Sequence, residues 1–328
     1  MPLSHHPDVA PAAPVAAIFG PTAVGKSRIA AGVAAAVGGE IVSADSMQVY
    51  RGLPILTDQP PAELLALVPH HLVGCLGLGE ECSAARFVQD AADAIASIGG
   101  RGLLPVIVGG TGLYVRALLG DFSFGAQGGP GARRRWDDLI AREGKEAALE
   151  QLKLLDPAAA ATIDAANSRR LARALEAAIS GRPVSSERDR LWSAGSRFRT
   201  LTFGLMLPRE ELYRRIDMRV ERMLAAGAVD EVRAALSGSV SRTAGQAIGF
   251  DEIAGYLSGK ATLPETAAAI KQKSRRYAKR QLTWMRKMPD VVRIDLAGQP
   301  EGEPEKLIGR QIRAAGFASA EVKIPADL

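Results

Sequence analysis

The chain has 328 residues, 47% of them apolar and 23% charged, which are ordinary values for a folded protein of about two domains with a sizeable core. Two cysteines, Cys75 and Cys82, form no CxxC pair, so no disulfide framework is implied and a reducing, cytoplasmic setting fits. No run of about 18 apolar residues occurs, which excludes a predicted membrane span. The net charge is +5, but residues 1–130 carry 6 Lys and Arg against 10 Asp and Glu, while the remainder carries 35 against 26. The cationic surface therefore belongs to the C-terminal part, where either a polyanionic partner or a solvated basic face accounts for it.

In chain order, residues 1–14 are rich in Pro and Ala and are expected to form a loose tail rather than a signal peptide. Val15–Gly20 (VAAIFG) is a short apolar run that predicts a buried strand. A Gly-rich turn leads to an Ala-rich helix over Ser27–Val37, ended by Gly38-Gly39. A second strand, Glu40–Ala44, ends at Asp45, and a third, Leu103–Val108, ends at Gly109-Gly110-Thr111-Gly112. From Gly120 to about Arg199 no strand is evident. Gly125–Gly131 reads as loop, and Leu149, Leu152, Leu155 and then Leu171, Ala174, Leu175, Ala178 recur at helical spacing. Later strands are expected over Thr200–Leu207 and Val291–Leu296, with single long helices over Glu210–Leu236 and Pro264–Met288.

Strands alternating with helices predict an α/β fold with a parallel sheet wrapped by helices. Residues 15–120 and 200–300 would form the core, 121–199 a helical insertion, and 301–328 a C-terminal tail or helix.

Gly20-Pro21-Thr22-Ala23-Val24-Gly25-Lys26-Ser27 matches GxxxxGK[ST] and sits between a strand and a helix, as a P-loop must. Its two glycines permit backbone conformations that turn several N–H groups toward one anion. Lys26 adds a positive charge, the Ser27 hydroxyl suits Mg²⁺, and the following helix presents its N-terminus. In open α/β sheets ligands bind beyond the carboxyl ends of strands, so Asp45 and Thr111 should converge on the same ligand; a turn cap is the alternative role for Asp45.

The loop GPTAVGKS, Ser43–Gly52 (SADSMQVYRG), Val108–Leu119 (VGGTGLYVRALL), Asn167–Glu176 (NSRRLARALE), Ala247–Phe250 (AIGF) and Arg275–Arg286 (RRYAKRQLTWMR) together resemble the tRNA dimethylallyltransferases, also called tRNA isopentenyltransferases. The matches run in order over some four-fifths of the chain. The resemblance implies a P-loop NTPase-like sheet with a helical insertion domain. It also implies transfer of the five-carbon group of dimethylallyl diphosphate to N6 of the adenine beside the anticodon, in tRNAs reading codons that start with U. In this family the loop holds the prenyl diphosphate, so the motif does not signify ATP use. Mg²⁺ as cofactor, the tRNA anticodon stem-loop as partner and a cytoplasmic monomer complete the expectation.

By the same resemblance, Lys26, Thr111 and Asp45 are catalytic: the first two act on the leaving diphosphate and Asp45 is the general base. Gly20 to Ser27 bind the diphosphate, with Arg116 as a further candidate. The flipped adenine and its tRNA would meet Asp45, Ser46, Met47, Gln48, Thr111, Arg133, Arg169, Arg170, Leu171, Ala172, Arg173, Gln246, Ala247, Ile248, Gly249, Phe250, Lys279 and Arg280. From Lys271 to Lys287 there are eight basic residues and no acidic ones, interleaved with Tyr277 and Trp284. Basic groups suit phosphates and aromatic faces suit loop bases, although two aromatics seven apart also suit a core.

The chain departs from the family pattern at Pro54–Pro60 (PILTDQP), where Gln59 stands at a lysine position, and at Gln246, where an arginine is usual. His70 and His71 are read as structural. Two other functions compete: an ATP-dependent small-molecule kinase, which leaves the basic C-terminal helix unexplained, and a non-catalytic RNA-binding protein, which leaves the intact Lys26, Ser27, Asp45 and Thr111 unexplained.

Overall fold

The computed structural model describes residues 13–120, 130–179 and 195–318. The chain divides into two compact units, Met1–Leu119 with Ser196–Leu328, and Gly120–Gly195. The first holds a six-stranded sheet: β1 (Pro14–Phe19), β2 (Gly39–Ser43), β3 (His70–His71), β4 (Leu104–Gly109), β5 (Arg199–Met206) and β6 (Val291–Asp295). The order is β3-β2-β4-β1-β5-β6, and every pairing is parallel.

A parallel sheet covered on both faces needs apolar residues along its whole strands, and β2 and β4 are buried at every position. This is why these strands read as continuous apolar runs rather than alternations. Helices α1 (Lys26–Val37), α2 (Pro54–Thr57), α3 (Ala62–Leu67), α4 (Ala84–Gly100) and α5 (Gly112–Leu119) precede the second unit. That unit contributes α6 (Pro130–Leu155), α7 (Pro157–Thr162) and α8 (Ser168–Ile179). Helices α9 (Arg209–Ala225), α10 (Ala228–Leu236), α11 (Phe250–Leu257), α12 (Leu263–Lys287) and α13 (Glu303–Ala314) then complete the first.

The topology locates the ligand site. The chain leaves β1 toward β2 and β3, returns to place β4 between β2 and β1, and then crosses to β5 on the other side of β1. The connections diverge above the carboxyl ends of β1 and β4, the switch point where open α/β sheets bind ligands. Ala-rich α1 lies on this sheet with Ala30, Ala31, Val33 and Ala34 fully buried, and Ile308 and Ile312 of α13 belong to the same core.

Two elements differ from the sequence reading. β3 is only two residues long, too short for a hydrophobic period, and pairs His70 and His71 with Ile41 and Val42. His71 Nε2 lies 2.7 Å from Glu40 Oε2, and Arg101 reaches the same carboxylate at 2.5 and 2.8 Å. The Arg101 guanidinium, helped by His71, holds the Glu40 carboxyl below its usual range. The helix expected over Glu210–Leu236 is two helices, because Gly227 adopts φ 105° between α9 and α10. A left-handed glycine ends one helix, and Asp230 and Glu231 in the first turn of the next suit its N-terminus.

The second unit packs Trp136, Leu152, Leu171, Ala172, Ala174 and Leu175 into its own core. Asp156 Oδ1 caps α7 by accepting the Ala159 N–H at 3.0 Å. Leu171 and Ala172, expected at the RNA surface, are fully buried, so their side chains pack this core instead. Helical periodicity turns them inward while Arg170 faces solvent. The side chains of Arg133 and Arg169 lie outside the described residues, as do residues 1–12, 121–129, 180–194 and 319–328.

Phe203 of β5 is fully buried in the sheet core. Phe203→Ala is expected to remove about 3–5 kcal/mol of stability, read as a shift in the denaturant midpoint. An unmoved midpoint would mean that β5 is not part of the cooperative core.

Candidate active site

The loop after β1 departs from ordinary backbone at two points. Ala23 has φ 64° and Gly25 φ 100°. Such left-handed turns aim successive N–H groups into one concavity. Gly25 is also the N-cap of α1 and no side chain caps that helix, which leaves its positive end to a ligand. Lys26 folds back over the loop, its Nζ donating to the Pro21 carbonyl at 2.8 Å. Burial lowers the Lys26 pKa to about 8; Asp45 opposes this shift, Arg219 adds to it, and Asp58 opposes it.

A cavity of about 650 Å³ opens over this loop. Thr22, Ala23, Gly25, Lys26 and Ser27 form one wall, and Asp45, Ser46, Met47 and Gln48 another. Asp45 Oδ1 accepts the Met47 N–H at 2.9 Å and the Gln48 N–H at 3.4 Å. Both readings of Asp45 thus hold: one oxygen caps the turn, and the residue also lines the cavity. Thr111 Oγ1 stands 3.4 Å from the Ser46 N–H and 3.3 Å from the Tyr277 hydroxyl, so it joins the turn after β2 to helix α12.

Close approach of these turns depends on glycine. A Cβ on Gly109 would overlap the Ala44 carbonyl, and one on Gly110 would overlap Gln281 Nε2. Burial raises the Tyr277 phenol to about 12, with the Asp45 charge adding to the effect, so its hydroxyl keeps its proton.

The remaining walls hold residues that the sequence reading missed. Arg215, Arg219 and Arg222 recur at i, i+4 and i+7 along α9 and line the cavity. Arg219 contacts the Thr22 hydroxyl and lies 3.3 Å from Asp58 Oδ2. Arg215 pairs with Glu211 at 2.8 Å. In sequence these arginines look like the polar side of an amphipathic helix; their common face was the available signal. Gln281 is buried, and its Oε1 accepts the Thr22 N–H at 2.8 Å while its Nε2 donates to the Gly110 carbonyl at 3.0 Å. A glutamine on the inner face of α12, between Ala278 and Met285, was its only mark.

Several expected contacts fall elsewhere. Pro21 and Val24 are buried and shape the loop from behind, and Gly20 packs against Leu205. Arg116 is buried in α5, and neither it nor Thr111 is among the cavity walls. Gln246, Ala247 and Ile248 line the cavity, whereas Phe250 is buried against Leu53, Leu56 and Ile253, and Gly249 turns the chain into α11. Arg280 lines the cavity, with its guanidinium 5.6 Å from the Tyr277 ring centre, and Lys279 is exposed. Tyr277 and Trp284 part ways: the first lines the cavity, while the second crowds Gly112 so closely that a Cβ there would overlap the indole.

A parallel α/β sheet, a phosphate loop at its switch point, and a carboxylate and a basic helix facing that loop define a P-loop-like group-transfer protein. Comparison with known proteins places it more narrowly. The IPP transferase family matches residues 48–288, and the isopentenyl transferase family matches residues 13–67. A tRNA dimethylallyltransferase 1 of Citrifermentans bemidjiense is 44% identical over 87% of this chain and 92% of its own length. The Shouchella clausii tRNA dimethylallyltransferase is 43% identical over 88% and 93%. Among solved structures, the Bacillus halodurans tRNA isopentenylpyrophosphate transferase superposes with a TM-score of 0.68 at 37% identity, covering 92% of this chain and 95% of that one. A eukaryotic dimethylallyltransferase captured acting on tRNA gives 0.79 at 27% identity, over 95% and 82%. The chain belongs to the tRNA dimethylallyltransferase family and is a prenyltransferase enzyme. These comparisons favour neither the kinase nor the non-catalytic RNA-binding reading.

The lowered Lys26 pKa has two opposite consequences. The folded chain releases this proton near pH 8 and the unfolded chain near 10.5, so the empty fold gains stability as pH rises between those values. Binding of a diphosphate ester, whose own last ionisation lies near about 6, requires the charged lysine and is expected to weaken as pH rises through about 8. Calorimetric titration with dimethylallyl diphosphate between these limits checks this, and an affinity independent of pH would deny Lys26 an ionic role.

Proposed function

We propose that this chain transfers the dimethylallyl group of dimethylallyl diphosphate to N6 of the adenine 3′ to the anticodon, in tRNAs reading codons that start with U. The observation that carries this reading is the meeting of Lys26 and Asp45 in one cavity, with the cationic loop and the carboxylate on adjoining walls. An allylic carbon bonded to diphosphate develops cationic character as the leaving group departs, so the rising charge is on the diphosphate. Lys26, the loop N–H groups and the α1 N-terminus stabilise that charge. Arg215 and Arg219, both on the cavity wall, add to the positive field.

The adenine amine attacks the allylic carbon, and the carbon–oxygen bond breaks with its electron pair leaving on the diphosphate. The amine proton passes to Asp45, whose turn-capping bonds from Met47 and Gln48 both go to Oδ1. A stacked base hides its exocyclic nitrogen, so the adenine must be flipped out to reach this cavity. The Tyr277 ring and the Arg280 guanidinium offer flat surfaces for it.

Mg²⁺ suits this donor set. Among the described residues no cluster of three or more His, Cys, Asp or Glu forms an all-protein cage. Magnesium typically takes one or two protein oxygens and completes its shell with phosphate and water. The Ser27 hydroxyl on the cavity wall would hold it, and the ion would then neutralise charge on the departing diphosphate.

For the RNA itself, Arg276, Lys279 and Arg286 form an exposed stripe on α12, and Arg170 is exposed on α8. The two free thiols, Cys75 and Cys82, suit the cytosol. Among the described residues no helix is long and apolar enough to cross a membrane.

Incubation with labelled dimethylallyl diphosphate and bulk tRNA, followed by nucleoside analysis, is expected to place the label on N6-modified adenosine. Asp45→Asn should lower kcat by about 10²–10⁴-fold, the usual weight of a general base, and still bind the diphosphate. Lys26→Ala should abolish diphosphate binding and spare tRNA binding. Changing Lys279 and Arg280 to Ala should weaken tRNA binding with a reduced salt dependence. Unlabelled RNA from the unaltered chain, or full transfer by Asp45→Asn, would overturn the proposal.

A further inference from the structure

Helix α12 sends into the crevice one side chain whose polar atoms are both engaged by the protein itself. Gln281 is 2% exposed, accepts the Thr22 N–H at 2.8 Å and donates to the Gly110 carbonyl at 3.0 Å. One primary amide thus spans the gap between the anion loop and the turn that carries Thr111. The group is suited to this, since it carries an acceptor and a donor side by side at the end of one stem. Space for it exists only because Gly110 has no side chain. On either side along the helix, Tyr277 bonds Thr111 at 3.3 Å and Trp284 presses on Gly112. Three side chains of one helix face therefore hold Gly110, Thr111 and Gly112 in place.

We propose that Gln281 is a positioning residue for prenyl transfer, fixing the separation between the loop that grips the leaving diphosphate and the turn that bears Thr111. The inference rests on the function proposed above. Thr111 in turn meets Ser46, the neighbour of Asp45, so the bridge also sets the base relative to the diphosphate. Because the Thr22 N–H points at Gln281, the bridge contributes no anion contact of its own; it orders the groups that do. Its loss therefore falls on the rate more than on substrate affinity. The same helix shows Arg276 and Lys279 to solvent on its outer side, so the surface offered to RNA and the bridge between the catalytic loops belong to one rigid element.

The test compares the full chain with Gln281→Leu, Gln281→Glu and Gly110→Ala, measuring kcat, KM for each substrate, tRNA affinity and the thermal midpoint. Gln281→Leu keeps the side chain's bulk and removes both bonds. It should lower kcat by about 100-fold, the cost of a displacement of roughly 1 Å, while KM for both substrates stays within about threefold. Gly110→Ala displaces the amide and should reproduce that pattern. Gln281→Glu retains the acceptor for Thr22 but opposes the Gly110 carbonyl until it is protonated. Its rate relative to the unaltered chain should climb as pH falls, a response that a merely structural residue would not give.

A folded Gln281→Leu with unchanged kcat, or a Gln281→Glu whose relative rate ignores pH, overturns the inference. If Gln281→Leu does not fold, the other two variants decide. Absence of transfer by the unaltered chain sinks the proposed function and this inference together; transfer by that chain with full rate in the variants sinks the inference alone.

Discussion

A lysine partly stripped of water, set among arginines, is the constraint that the rest of the site answers. Lys26 has its pKa drawn down to about 8, burial being the main cause and Arg219 a further one. Arg215, Arg222 and Arg280 line the same cavity. Like charges held this close repel, and the fold tolerates them by anchoring each at its base. Lys26 leans on the Pro21 carbonyl, Arg219 on Asp58 and the Thr22 hydroxyl, and Arg215 on Glu211. A diphosphate would add to the counter-charge that Asp45 and Asp58 already supply, so binding would ease the remaining repulsion among these cations.

Such anchoring needs elements far apart in sequence to meet within a few ångströms, and here the glycines decide. Gly109 lets the end of β4 lie against the Ala44 carbonyl at the end of β2, and Gly110 admits Gln281 of α12. Together they bring Lys26 and Asp45 to one cavity, with Thr111 bonded to Ser46 and Tyr277 on its walls, from three separate strand ends. The parallel sheet supplies the alignment, since all three strands point their carboxyl ends the same way. A side chain at either glycine would disturb the approach of these turns, and group transfer tolerates little displacement.

This also explains what the sequence could reveal. The loop, Asp45 and Thr111 were legible because each sits at a strand end and its signature is local. Strands β1, β2 and β4 were legible because burial on both faces makes their apolar runs continuous, whereas β5 and β6, more exposed, were marked by their β-branched and apolar composition. β3, two residues long, leaves no period to detect, and the α9–α10 break turns on a single glycine conformation. The α9 arginines looked like a solvated helix face because only tertiary packing shows what that face overlooks. Leu171 and Ala172 were grouped with the arginines beside them, although the 3.6-residue period puts them on the buried side of α8 and Arg170 on the exposed side. Gln281 was illegible for a related reason: its partners are backbone atoms about 170 and 259 residues away.

The two departures from the family pattern fit the same electrostatic logic. Gln59, at a position where lysine is usual, donates to the Gln48 carbonyl at 3.0 Å and the Tyr50 carbonyl at 2.8 Å. It braces the turn after Asp45 as a neutral donor. Gln246, where arginine is usual, donates to the Arg242 carbonyl at 2.9 Å and still lines the cavity. Each glutamine is a neutral donor that braces a backbone carbonyl. The positive field then falls to Arg215, Arg219 and Arg222 on a single helix, whose spacing puts all three on the cavity wall, Arg219 in contact with Thr22 of the loop. A site built in this way reaches the same end with fewer repelling neighbours: cations concentrated where the leaving group sits, and amides wherever only the shape of the backbone must be held.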